Sequence, residues 1–271
     1  MNERIDILLF DKGLAKSREK ARALIMAGVV YADGVRVDKA GTTVDENATI
    51  EVREDPVPFV SRGGLKLQKS TEVFPIDLTG KVCADIGSST GGFTDCMLQH
   101  GASKVYAVDV GYGQLDWSLR TDPRVAVMER MNARYMEPSW YEPAPAFASI
   151  DVSFISLTKI LPPLFTCLTE GGEVVALVKP QFEAGRGEVG KNGVVREPDT
   201  HRKVCERIVG EAASYGYSVM GLDYSPITGP KGNIEFLLWL RKPETGEERT
   251  DKVSAERIKE VVAAAHSSHI K

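Results

Sequence analysis

The sequence predicts an α/β protein: a mostly parallel, Rossmann-like sheet preceded by a small α+β unit. Three observations predict it. Beyond about residue 64, short apolar runs alternate with stretches of helical periodicity, the pattern of repeated βα units. A glycine-rich turn, Gly87 to Gly92, directly follows the first of those runs, where such sheets bind ligands. The elements before residue 55 are shorter and end in a proline-spaced "DPVPFV", which marks a boundary. The 271 residues thus divide into a small domain at 1–55, a linker at 56–62 and a large domain at 63–271.

In chain order, residues 4 to 27 read as two short helices. "RIDILLFDKG" closes on Gly13, and "SREKARALIMAG" opens with Ser17 as N-cap and stops at Gly28. Ala21, Leu24 and Ile25 form an apolar stripe, while Arg18 and Arg22 share another face. "VVYADGVRV" makes two strands around an Asp33-Gly34 hairpin turn, and "TIEVRE" adds a third strand. After the linker, "LKLQKSTEVF" is a helix. The strand "KVCADIG" then leads into a helix from about Gly92 to His100. Strands "KVYAVDVG", "VAVME" and "FASIDVS" follow, then a helix near Thr158 to Leu168 and the strand "GGEVVALVKP". A helix from roughly Asp199 to Tyr215 precedes the paired strands "SVMGLDYSPI" and "NIEFLLWLRK", expected as an antiparallel edge. The tail after Pro243 is charged and weakly helical, and is expected either to pack on the sheet or to fray.

Composition narrows the function. A hydrophobic fraction of 42% and a charged fraction of 27% belong to an ordinary soluble protein. No apolar run approaches the ~18 residues that span a bilayer. The N-terminus lacks a signal-peptide cleavage site, so a cytoplasmic protein without a membrane partner is expected. Cys83, Cys96, Cys167 and Cys205 form no CxxC pair and have no histidine at metal-ligand spacing, so reduced thiols and no metal are expected. The net charge of −4 gives no global attraction to nucleic acid, and a polyanion would need a local patch. One exists: Lys12, Lys16, Arg18, Lys20 and Arg22 stand against Glu19 alone.

The stretch "RIDILLFDKGLAKSREKARALIMAGVVYADGVRV" resembles the S4 RNA-binding domain. The matching positions are Arg4, Asp6, Gly13, Ser17, Arg18, Ala21, Ile25, Gly28, Val29 and Gly34. The resemblance implies contact with structured RNA through Arg4, Lys12, Arg18, Lys20 and Arg22. Arg18 and Arg22, one helical turn apart, suit phosphates of an A-form backbone.

The turn "DIGSSTGGF" restricts its ligand. A P-loop needs Gly-Lys-Ser/Thr, and a dinucleotide turn needs Gly-x-Gly-x-x-Gly; neither register is present. The acid that opens the turn, Asp85, would repel a phosphate. S-adenosylmethionine, a sulfonium without phosphate, fits. Asp85 is expected near its amino-acid portion, with Gly87, Ser88, Ser89, Gly91, Gly92 and Phe93 forming the turn beside it. Asp109, at the end of the second strand, is placed to accept the ribose hydroxyls.

Later strand ends bring Asp151, Lys179 and Glu235 to the same crevice, and Lys66 lies in the entering helix. An alcohol attacks a sulfonium well only if its proton leaves as the bond forms, and a lysine beside another cation can serve as that base. Lys179 is the expected base, steered by Asp151, with Lys66 and Glu235 completing the network. Pyrimidine C5 methylation would need an activated cysteine, and amino-group methylation an Asn/Asp-Pro-Pro-aromatic turn, where this chain has Asp151-Val-Ser-Phe154. After Lys179, the glycine-rich stretch to residue 197 is expected to be a lid that carries Arg186, Lys191 and Arg196 toward phosphate.

The order of S4 domain, "VSRGGLKL", "DIGSSTGGFTD", "IDVSFISL", "LVKPQFE" and "GNIEFLLWL" resembles the TlyA (haemolysin A) family. These proteins look like FtsJ-type 2′-O-ribose methyltransferases fused to an S4 domain. The resemblance implies a Rossmann-like S-adenosylmethionine-dependent methyltransferase sheet and a Lys66-Asp151-Lys179-Glu235 tetrad. It also implies ribosomal RNA or ribosomal subunits as partners, with cytidine 2′-hydroxyls as targets. Where family linkers carry Arg-x-Trp-Val, this chain has Val57-Pro58-Phe59-Val60. An RNA-binding protein that methylates a base or is inactive is the alternative; a haemolysin would need an amphipathic or spanning segment, and none is expected from this sequence.

Overall fold

The computed structural model describes residues 2–26, 28–53, 57–185, 187–190 and 192–269. The chain falls into two compact units, residues 1–58 and 59–271.

The first unit runs β1 (Asn2–Arg4), α1 (Ile5–Asp11), α2 (Arg18–Met26), β2 (Val30–Ala32), β3 (Val35–Arg36), β4 (Thr43–Asp45) and β5 (Ile50–Val52). Ile5, Leu9, Ala21, Ile25 and Val30 have no exposed surface and hold the helices on the strands. Ser17 Oγ accepts from the Lys20 amide at 3.1 Å, the cap its position predicts. Asp33 and Gly34 have φ of 48° and 78°, as a two-residue hairpin turn requires. The antiparallel pair of β1 and β4 has no counterpart in the sequence reading, because three polar residues carry no strand pattern.

The second unit runs α3 (Gly64–Val73), β6 (Val82–Ile86), α4 (Gly92–Gln99), β7 (Lys104–Asp109), α5 (Trp117–Arg120), β8 (Val125–Glu129) and β9 (Phe147–Ile150). It continues with α6 (Leu161–Cys167), β10 (Glu173–Val178), α7 (Pro180–Glu183), α8 (Pro198–Ser214), β11 (Ser218–Tyr224), β12 (Phe236–Arg241) and α9 (Ala255–His269). The seven strands lie in the order β11-β12-β10-β9-β6-β7-β8. Successive residues of a strand face opposite sides of a sheet. Cys83, Ala84, Asp85 and Ile86 are all fully buried, so both faces of the centre are covered.

The expected antiparallel strand pair is at one edge of the sheet, and the structure adds its order: β12 lies inside, antiparallel to both β10 and β11, and β11 is the edge. The "FLLWL" run of β12 is buried throughout, which an edge position would not allow. The charged tail contains a packed helix, α9, whose Ile258, Val261, Val262 and Ala265 are buried at i, i+3, i+4 and i+7.

Part of the expected linker also belongs to the second unit. The Val60 amide donates to Asp95 Oδ2 at 2.8 Å. Phe59 is buried against Gly64, where an added Cβ would sit 2.4 Å from the ring. The expected lid is fastened at its far end. Val194 and Val195 are buried, and the Asn233 amide joins the Val195 amide (3.1 Å) to the Gly193 carbonyl (3.0 Å). Arg196 is exposed; Arg186 and Lys191 lie outside the described residues.

Candidate active site

Strand order reverses between β6 and β9, and the crevice at their carboxyl ends is where such sheets take ligands. There the chain leaves a cleft of about 550 Å³ within the second unit. The glycine turn forms one wall. Gly87 and Gly91 adopt φ of 88° and 98°, and α4 starts at Gly92. A Cβ on Gly87 would lie 2.5 Å from the Asp151 carbonyl oxygen, and one on Gly91 2.3 Å from Leu119. These glycines are therefore demanded by the chain's own packing as well as by access to the cleft. Gly87, Ser88, Ser89, Gly92 and Phe93 line the cleft; Gly91 does not.

The structure moves Asp85. Its side chain was expected at the cleft, yet it is fully buried and absent from the lining. Thr94 Oγ1 donates to Oδ2 at 2.7 Å and Ser149 Oγ to Oδ1 at 3.1 Å. Burial pushes the carboxyl up to about 7, against the pull of those two hydroxyls. Asp85 ties β6 to β9 and α4 beneath the turn, which is a positioning role rather than direct contact. Asp109 is half-buried at the end of β7. It does not line the cleft itself; it accepts from the Ser89 amide (2.8 Å) and the Gly111 amide (2.6 Å), one on each oxygen, so it fixes the turn beside the cleft.

The four charged residues meet in the same cleft, beside the turn. Lys66, from the first turn of α3, donates to Glu235 Oε2 at 2.7 Å and lies 3.6 Å from Asp151 Oδ2. Lys179, after β10, pairs with Asp151 Oδ1 and donates to Ser153 Oγ at 3.1 Å. Asp151 thus bridges both lysines. Glu235 is 1% exposed, against 20% for the Asp151 side chain, so the network has a dry end and an open end. Gln181 Nε2 donates to the other Glu235 oxygen at 3.3 Å, while Gln181 Oε1 is buried without a partner.

Phe154 and Lys231, which line the cleft, escaped the sequence reading as site residues. Like Ser89 of the turn, they have positive φ (63° and 64°, against 49° for Ser89) without being glycine. Backbone strain of this kind concentrates at functional sites, but no sequence signal announces it. Phe154 is 90% exposed and lies 4.9 Å from Phe182, ring centre to ring centre. Arg62 and Lys231 add exposed cations to the rim.

The thiols do not enter the chemistry. All four are buried, and burial pushes the Cys83 thiol up to about 12 and raises Cys96, Cys167 and Cys205 as well. His100, one turn beyond Cys96, has Nδ1 3.6 Å from Sγ, a proximity the spacing should have signalled. Among the described residues no group of three or more His, Cys, Asp or Glu could hold a metal.

In the first unit, three of the five expected RNA-binding cations converge. Arg4 donates through Nε and Nη2 to Asp6 at 2.9 and 3.1 Å, Arg22 Nε donates to Asp6 at 3.1 Å, and Arg18 Nη2 lies 3.6 Å away. Lys12 instead reaches the Ala48 carbonyl at 3.3 Å, and Lys20 points to solvent.

A doubly wound sheet with an antiparallel strand next to its edge, a glycine turn at the switch point and a lysine–carboxylate network in the same cleft define a Rossmann-like methyltransferase. The turn without a phosphate loop, the Asp109 carboxylate and the cleft volume fit S-adenosylmethionine. The FtsJ-like methyltransferase family model matches residues 59–242, and the S4 domain model matches residues 3–50. The chain belongs to the FtsJ-like methyltransferases, in the S4-bearing TlyA (haemolysin A) group. It is 43% identical, over 97% of both chains, to the 16S/23S rRNA (cytidine-2′-O)-methyltransferase TlyA of Mycobacterium tuberculosis. It is 42% identical to Hemolysin A of Brachyspira hyodysenteriae, over 86% of this chain and 98% of that one. A solved structure from Streptococcus thermophilus, titled as a hemolysin candidate, shares 51% identity and a TM-score of 0.79 over 98% of this chain and 96% of its own.

Proposed function

We propose that the protein transfers a methyl group from S-adenosylmethionine to a ribose 2′-hydroxyl of ribosomal RNA, with a cytidine as target. The observation that carries the reading is the Asp151 carboxylate bridging Lys66 and Lys179 at the switch point, in the same cleft as the glycine turn. S-adenosylmethionine would lie against Gly87, Ser88, Ser89, Gly92 and Phe93, with Asp109 at its ribose, and supplies an electrophilic methyl group. The chain has to place the hydroxyl and take its proton. Lys179 Nζ is the receiving atom: Asp151 and Ser153 fix its position, and Asp151 balances the ammonium that results. Lys66, held by Glu235, supplies a second fixed cation that orients the other Asp151 oxygen.

The base-methylating alternative loses ground on the thiols, since a C5 methyltransferase needs a reactive thiolate. No helix among the described residues is long and apolar enough to cross a membrane. The name of the Mycobacterium tuberculosis relative supports the 2′-hydroxyl of cytidine, in small- and large-subunit RNA. The first unit supports ribosomal RNA or a ribosomal subunit as partner, which would place the protein in the cytoplasm.

The test is a map of 2′-O-methylated nucleotides in ribosomal RNA from cells with the protein, without it, and with Lys179→Ala or Lys179→Arg. A modification present only with the parent protein is expected. Both variants should bind S-adenosylmethionine yet leave the nucleotide bare, because a guanidinium does not release its proton near neutral pH. Full methylation by Lys179→Arg would remove Lys179 as base.

A further inference from the structure

We propose that Asp6 is a positioning residue for RNA: its buried carboxylate assembles Arg4, Arg18 and Arg22 into one pre-formed phosphate receptor. The inference rests on the reading that the first unit binds RNA.

A carboxylate inside a basic patch would ordinarily oppose a polyanion. Asp6 differs because it has no exposed surface, while the arginine side chains around it are 45%, 49% and 53% exposed. The anion is sheathed by the cations, and what faces solvent is guanidinium. Three positive charges against one negative leave a surplus of two. Arg4 spends its Nε and Nη2 on Asp6 and Arg22 only its Nε, so each keeps outward N–H donors. The geometry is set by three elements: Arg4 ends β1, Asp6 lies in the first turn of α1, and Arg18 and Arg22 stand one turn apart on α2. Long arginine side chains that are ordered before RNA arrives lose less freedom on binding, which raises affinity without a new contact.

This reading and simple charge counting predict opposite results for Asp6→Asn. Removing a negative charge from a basic patch should tighten RNA binding. Losing the common acceptor should weaken it, because Asn offers one neutral oxygen to three guanidinium groups. We expect the full-length Asp6→Asn chain to bind 16S or 23S ribosomal RNA transcripts about tenfold more weakly, the effect of freeing one or two side chains. The slope of log K against log salt should become shallower by about one. Equal or tighter binding by a folded variant overturns the proposal. If the parent chain binds neither transcript, the RNA reading itself fails. A measurement on the unmodified chain guards against a variant that does not fold. The Nε–H protons of Arg4 and Arg22 should exchange with solvent far more slowly, by NMR, than that of exposed Arg196. Equal exchange would mean that Asp6 holds neither arginine.

Discussion

Replacing Lys66 by Met should separate the stabilising part of the lysine–carboxylate network from its chemistry. Met keeps the length of the side chain and removes the charge. Glu235 is 1% exposed, and its ionised carboxylate would keep only the neutral Gln181 amide at 3.3 Å. Asp151 retains Lys179 and is 20% exposed, so the penalty falls on Glu235. Removing one partner of a buried ion pair costs about 3–5 kcal/mol. In a unit of this size that lowers Tm by roughly 6–20 °C. Urea unfolding of the full chain, followed by circular dichroism, reads the change in the second unit. Adding Glu235→Gln should return stability to within about 1 kcal/mol of the parent, since a neutralised buried pair costs little. Methyl transfer should be absent from both variants. A Lys66→Met chain that loses less than about 1 kcal/mol, or a double variant that recovers nothing, would refute the claim that this pair holds the site together.

The remaining predictions concern the cofactor wall. The Asp85 carboxyl sits at about 7 when folded, against 3.8 when exposed. Its contribution is therefore complete below about pH 4 and is lost as pH rises through about 7. Asp85 alone lowers the unfolding free energy by about 4 kcal/mol across that window, while buried His201, pushed down from 6.5 to about 4, acts in the opposite direction. The Asp85 part is therefore read as the difference between the parent and Asp85→Asn, which keeps the shape; a difference that does not change between about pH 4 and 7 would place the titration elsewhere. Asp109→Ala should weaken S-adenosylmethionine binding by about 1.5–3 kcal/mol, the value of charge-assisted hydrogen bonds to the ribose. Calorimetry that finds unchanged affinity removes Asp109 from the site.

The meeting of Lys66, Asp151, Lys179 and Glu235 was legible because parallel sheets bring strand ends together, and strand ends are visible. Asp109, Asp151 and Lys179 each follow an apolar run, and Lys66 and Glu235 flank the elements that pack beside them. What each side chain touches was less legible. Asp85 opens the turn in sequence, but its partner Ser149 comes from a strand 64 residues away, and only the folded sheet shows that both are buried. The arginines of α2 were visible as cations, yet the carboxylate that gathers them lies 16 residues before Arg22 in another helix. The antiparallel pair β11 and β12 was visible too, but not which strand lies inside. That depends on β12 packing both its faces, a property of the whole sheet.

Lys66 and Glu235 stand 169 residues apart in the chain, yet they share a hydrogen bond. While the protein is being synthesised, the lysine emerges early and waits for the carboxylate until most of the second unit has left the ribosome. No nascent fragment that ends before β12 holds the complete network. A chain terminated before Glu235 therefore lacks the partner of Lys66, however much of the sheet it has already formed.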